Sequence, residues 1–176
     1  MVEAAGRIIN RSGTDALSIE ELSREMGVNQ YQLSTYFRNN NDILVMVLQS
    51  LEKDIKQLVS DSLSVNGAFE NELETLFGTL NNLFELKPYY LSIIFSTELA
   101  DKIPASQGVI LSIKSIAKTY LMQVINHAKN EKMPKTKGAT ESMATNILGS
   151  FRLFMNEQWV IDKMVRDIEI LKNTQD

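Results

Sequence analysis

The stretch SIEELSREMGVNQYQLSTYF, residues 18–37, decides how this chain folds. Ser18 followed three residues later by Glu21 is a capping box: the Ser18 hydroxyl can accept from the third helical amide while Glu21 reaches back. The helix it opens carries Ile19, Leu22 and Met26 on one side, and Gly27 ends it. Asn29 then offers a fresh N-cap for a short helix predicted over residues 30–37, with Leu33 and Phe37 as an i, i+4 apolar pair. So short a helix is poorly stable alone, so it needs its neighbours as a platform. Its other side presents Gln30, Tyr31, Gln32, Ser34 and Thr35, amides and hydroxyls in place of the Glu/Lys pairs of an ordinary solvated face. Glutamine can contact adenine edges in two places, and Ser, Thr and Tyr hydroxyls can reach phosphates or bases. Helix, tight turn, helix is the arrangement whose second helix enters the major groove of DNA.

Upstream, Val2, Ala5, Ile8 and Ile9 recur at helical spacing, predicting a helix over residues 2–11 that Ser12-Gly13 stops, with Gly13 in the left-handed position. Downstream, Asn39-Asn40-Asn41-Asp42 is a polar break. Long amphipathic helices are then expected over residues 43–63 and 68–86, a shorter one over 89–99, and another from near Ser106 to about residue 130. Pro88 suits the first turn of its helix. Two more helices are expected, over 140–159 and 160–173, after a lysine-rich loop at 130–138. No strand-like alternation competes, so the fold class is all-α. A small N-terminal module, residues 1–42, is expected ahead of a larger helical bundle, residues 43–176.

Of 176 residues, 44% are hydrophobic, enough for a sizeable core. No apolar run approaches the length of a membrane span, and MVEAAGRIINRSG does not read as a signal peptide. The absence of cysteine excludes thiolate metal sites and fits a reducing compartment, so a cytoplasmic protein is the default expectation. His127 stands alone, without the spacing of a metal site, and is read as a surface residue near a helix end. No cofactor is implied. Glycine-rich phosphate loop, nucleophile elbow and paired catalytic carboxylates are all missing, so an enzyme is not expected and no catalytic residue is assigned. Glu70, Glu72 and Glu74 suit a solvated first helical turn. Lys114, Lys118, Lys129, Lys132, Lys135 and Lys137 read as a solvated face and loop, or as a contact for an acidic ligand. Net charge is −4, and residues 1–45 hold four arginines, no lysine and six acids, a balance of 4 − 6 = −2. Nucleic-acid binding usually leaves a basic footprint, so the charge argues against the reading that the helices support.

The sequence resembles the tetracycline-repressor (TetR) family. The likeness rests on Ala4-Ala5, Gly13, Leu17-Ser18-Ile19, Leu22, the run from Met26 to Phe37, and Asp42-Ile43-Leu44 after the polar link. The resemblance implies an N-terminal three-helix DNA-binding module with a helix-turn-helix and a C-terminal bundle for ligand binding and dimerisation. It implies contact with double-stranded DNA through Ser18, Asn29, Gln30, Tyr31, Gln32, Ser34, Thr35, Tyr36 and Asn40. Departures are concentrated in that same surface. Tyr31 stands where the family usually has a small residue, Ser34 where it has an aromatic, and Asn40 where it has a phosphate-binding lysine. A short basic arm normally precedes the first helix, whereas here Val2 already lies in it.

For the C-terminal body the resemblance implies a cavity for a small apolar or amphipathic ligand. Phe77, Phe84, Phe95, Tyr120, Phe151 and Met155 are candidate lining, and would serve equally as plain core. Met143, Ile147, Phe154, Trp159, Met164, Ile168 and Leu171 form apolar stripes that would pair two protomers into a homodimer, or close the core of one. The function implied is a ligand-responsive transcription regulator, acting as a repressor. The alternative is a protein of the same fold whose DNA binding is weakened or lost, serving as a small-molecule or protein-binding module.

Overall fold

The computed structural model describes residues 1–63, 69–94 and 103–132, all of them in helices or the turns between, with no strand among them. The helices are α1 (Val2–Ser12), α2 (Ile19–Met26), α3 (Gln30–Ser34), α4 (Asn40–Leu63), α5 (Phe69–Leu86), α6 (Tyr89–Ile94) and α7 (Pro104–Lys132), with a single 3₁₀ turn at Thr14–Ala16. The first residues of the loop expected at 130–138 belong instead to α7, which runs to Lys132; the rest of that loop and the expected helices over 140–159 and 160–173 lie outside the described residues.

The chain divides into two compact units, Met1–Gln57 with Asn82–Ile113, and Leu58–Asn81 with Lys114–Asp176. This packing division does not follow the sequence boundary at residues 42–43, because α4 runs unbroken through that boundary and contributes Ile43, Val47, Leu48 and Leu51 to the buried set of the first unit.

In the first unit, α1 packs on α2, on the 3₁₀ turn and on α6, and α2 packs on α3. The helical spacing read in α1 buries Ala5 and Ile8 completely. Helix α6 comes so close to Gly6 that a Cβ there would clash with the edge of the Tyr89 ring, 2.8 Å from its Cζ, so this position of α1 requires glycine. Tyr89 and Tyr90 are both buried and meet edge to face, with ring centroids 4.7 Å apart. The Tyr89 hydroxyl donates to Glu3 Oε1 at 3.1 Å, tying α6 to α1. The Tyr90 hydroxyl donates to Asp54 Oδ2 at 2.7 Å and lies 3.0 Å from Ser50 Oγ, tying α6 to α4. Burial drives both phenols well above their ordinary range, and the neighbouring carboxylates add to it. They act as neutral donors. Lys87 completes this cluster, 2.7 Å from the same Asp54 oxygen and over the Tyr90 ring. Ser112 on α7 donates to Glu52 on α4 at 2.6 Å.

Helix α7 starts at Pro104, two residues before the expected restart near Ser106. Proline at the first helical position lacks only an N–H that would go unused. The fully buried Ser106 donates its hydroxyl to the Ile103 carbonyl at 2.7 Å, closing that first turn. In the second unit, Leu58, Leu76, Tyr120, Leu121 and Val124 are buried. Ser62, buried on α4, donates to the Leu58 carbonyl at 2.8 Å. Burial raises the Tyr120 hydroxyl above its ordinary range, offset in part by a hydrogen bond with Ser62. Among the described residues no helix is long and apolar enough to cross a membrane.

Candidate nucleic-acid interface

The turn between α2 and α3 is a Schellman motif. Gly27 takes the left-handed conformation (φ 65°, ψ 30°), the Gly27 N–H bonds the Arg24 carbonyl at 3.3 Å, and the Val28 N–H bonds the Ser23 carbonyl at 3.1 Å. Ser23 locks the turn by donating its hydroxyl to the Val28 carbonyl at 2.6 Å. Gly13, expected in the same left-handed conformation, has positive φ (80°) but extended ψ (174°), so it leads the chain outward into the 3₁₀ turn.

Both expected caps form. Ser18 Oγ accepts from the Glu21 N–H at 3.1 Å, and Asn29 Oδ1 accepts from the Tyr31 N–H at 2.8 Å. The reciprocal half of the Ser18 box goes elsewhere. Glu21 gives one carboxylate oxygen to Arg11 at 3.1 Å and the other to Arg24. A reciprocal box does form two helices later, at the start of α4: Asp42 N–H bonds Asn39 Oδ1 at 3.2 Å, and Asp42 Oδ2 accepts from the Asn39 N–H at 3.4 Å and the Arg38 N–H at 2.7 Å. Helix α4 therefore begins at Asn40, three residues before the expected start.

Asn40 itself turns back toward α2. Its Oδ1 accepts from the Ile19 N–H at 3.0 Å, supplying an acceptor to the first amide of that helix. Its side-chain oxygen thereby ties the start of α2 to the start of α4.

Helix α3 has five residues and ends at Ser34, not at Phe37 as the sequence suggests. The Leu33 carbonyl accepts from both Tyr36 N–H (2.9 Å) and Phe37 N–H (3.0 Å), so the chain tightens into a turn that still carries Phe37 inward. Leu33 and Phe37 are 3% and 6% exposed, while Tyr31 and Tyr36 are 79% and 72% exposed, so the anchors and the outer face separate cleanly. Gln30, Gln32, Ser34 and Thr35 are exposed as well. At about 100° per residue, Tyr31 and Thr35 lie opposite Leu33, flanked by Gln32 and Ser34. The two small hydroxyls are already committed: Ser34 donates to the Gln30 carbonyl at 3.0 Å and Thr35 to the Gln32 carbonyl at 2.7 Å.

The electrostatics are equally specific. Arg7 holds Glu25 at 2.6 Å, Arg11 bridges Glu25 and Glu21, and Arg24 bridges Glu20 and Glu21. Hydrogen bonds from Arg7 and Arg11 hold the Glu25 carboxyl below the usual carboxylate range. Three of the four arginines in residues 1–45 are thus occupied, and Arg38, exposed just after Phe37, is the one whose side chain has no acidic partner among the described residues. Sequence reading passed over Arg38; subtracting the residues that can pair across α1 and α2 would have isolated it.

A helix-turn-helix whose second helix is propped from within and polar outside belongs here to a chain that has the TetR fold. It is similar to the TetR family transcriptional regulator PfmR of Thermus thermophilus, with a TM-score of 0.73 and 12% identity over 99% of this chain and 98% of that one. A Clostridium perfringens protein described as a fatty acid metabolism regulator gives 0.69 and 16%, over 98% and 96% of the two chains. The fatty acid degradation regulator FadR of Bacillus halodurans gives 0.64 and 15%, over 97% and 91%. No family profile matches the chain, and no curated protein matches it in sequence.

Of the residues expected to line a ligand cavity, Phe84 and Tyr120 are buried, each in its own unit. Phe77 lies on α5, but its side chain is outside the described residues, as are Phe95, Phe151 and Met155. The expected dimer residues Met143, Ile147, Phe154, Trp159, Met164, Ile168 and Leu171 are likewise outside them.

Proposed function

We propose that this chain is a DNA-binding transcription regulator that reads double-stranded DNA with α3 and works as a cytoplasmic homodimer. The observation that carries the reading is the division of α3 and the turn after it between two buried anchors, Leu33 and Phe37, and an outer face of uncharged polar side chains on which Tyr31 and Tyr36 are exposed, with no partner element over them among the described residues. Such a face has no role in the core, and it has the shape and chemistry of a groove-reading helix. The regulator is a repressor released by a small apolar or amphipathic ligand in the helical body. Two proteins of the same fold are described as regulators of fatty acid metabolism and degradation, which favours a ligand with an acyl chain. For the ligand to act, it must bind the DNA-competent and DNA-incompetent states with different affinity. The decisive experiment titrates the full chain onto the duplex upstream of its own gene at several salt concentrations, with and without fatty acids or their thioesters. Binding at low salt that the ligand weakens is the expected result. Binding that no acyl compound alters removes the ligand class, and no binding at any salt removes the regulator.

The tied arginines favour a second reading, a module of the same fold that has given up DNA for a small molecule or a protein. Two exposed tyrosines suit a protein partner as well as a groove, since tyrosine is enriched at protein interfaces. Failure of DNA binding together with retained ligand binding is the outcome that selects it.

A further inference from the structure

Resting on the reading of α3 as the groove-entering helix, we infer that the half-site it reads is built of A·T pairs and contains no guanine contacted by this helix. The argument is an inventory of donors and acceptors. In the major groove guanine presents only acceptors, N7 and O6, and the strong partners for them are arginine and lysine. Helix α3 has neither; its sequence is Gln-Tyr-Gln-Leu-Ser. The unpartnered cation, Arg38, follows the C-terminal end of the helix, whereas base edges are met by the N-terminal residues of a reading helix. Arg38 falls to a phosphate.

What remains at the N-terminal end is Gln30, Tyr31 and Gln32. A glutamine amide offers one donor and one acceptor side by side, the complement of adenine N7 and N6. The hydroxyls of Ser34 and Thr35 add no outward donors, because both hydrogens are spent on the Gln30 and Gln32 carbonyls. With its hydroxyl spent on the Gln32 carbonyl, exposed Thr35 has only its methyl left to offer on the face it shares with Tyr31. Apolar groups there fit the thymine methyl, the feature that distinguishes thymine in the groove. Amides for adenine and apolar surface for thymine occupy the same patch.

The test is selection of the full chain against a random-sequence duplex pool at low salt, repeated with Gln32→Ala and with Tyr31→Ala. Both positions are exposed, so the variants should fold, which circular dichroism checks. The expected result is an enriched motif with adenine or thymine at the contacted positions. In Gln32→Ala the preference at one adenine should relax by on the order of tenfold, and in Tyr31→Ala the preference at a neighbouring thymine should relax. A motif with guanine at the positions that respond to these substitutions overturns the inference and leaves DNA reading intact. An A·T-rich motif indifferent to both substitutions also overturns it, because groove shape would then be read in place of base edges. No enrichment from the pool, with no binding to any duplex at low salt, removes the regulator reading itself.

Discussion

Asn40 shows how a side chain can hold a partner that its place in the sequence does not announce. In the sequence it stands at a phosphate-contacting position of the family; in the structure its Oδ1 is spent on the Ile19 amide, 21 residues back in the chain. Nothing in local spacing announces a bond of that range, whereas Ser18 and Asn29 cap amides two or three residues away and could be read directly. A single hydrogen bond of this kind contributes about 0.5–1.5 kcal/mol net. Asn40→Ala should therefore lower the stability of the N-terminal unit by about 1 kcal/mol, and Asn40→Asp, which keeps the acceptor, should lower it less. Urea denaturation of the three proteins checks this, alongside their affinity for one duplex. Unchanged stability in Asn40→Ala with a clear loss of DNA affinity would mean that the side chain serves a phosphate after all.

At the scale of elements, the hydrophobic spacing located every described helix, and the side-chain hydrogen bonds set their ends. The competition is visible in α3, where the hydroxyls of Ser34 and Thr35 take helix carbonyls and the helix stops at five residues. Small hydroxyl residues offer the backbone such alternatives to continuing a helix. The pairing of α1 with α2 follows the same logic with charges. Glu25 sits in the last turns of α2, where a negative charge is disfavoured by the helix dipole. Arg7 and Arg11 from α1 reverse that and hold its carboxyl low. The sign follows from the linkage of protonation to folding. An unfolded Glu25 gains its proton near its ordinary value of 4.5, the folded one only at lower pH. The stabilisation is therefore complete above the unfolded value and disappears as pH falls through the folded one. Urea midpoints should drop between neutral pH and the acid range in the unsubstituted chain and drop less in Glu25→Gln. Equal acid sensitivity in the two proteins would show that this network does not carry the α1–α2 contact.

For the whole molecule, the fold was legible because a gapped pattern of Gly27, Val28, Leu33, Phe37, Ile43 and Leu44 fixes a turn and its anchors together. The ligand cavity and the dimer surface came only with the family resemblance, since an apolar stripe reads the same whether it faces a ligand, a second protomer or its own core. Charge was legible as a sum, −4 over the chain, but the sum hides which cations are available. With Arg7, Arg11 and Arg24 engaged by Glu20, Glu21 and Glu25 of α2, a chain that binds DNA as proposed would offer a duplex one arginine per N-terminal unit whose side chain has no acidic partner among the described residues, Arg38. Neutralising Z phosphates gives a slope of about −0.9Z in a plot of log affinity against log salt. Two units on one operator then give a slope of about −2, and a fourfold rise in salt weakens binding by only about tenfold, against a loss of about a thousandfold or more for proteins making six to ten phosphate contacts. Arg38→Ala should flatten the line almost completely. Fluorescence anisotropy over a salt series measures both slopes. A slope of about −6 or steeper would mean that the arginines leave their glutamates on binding, and that Glu20, Glu21 and Glu25 hold them in reserve for DNA.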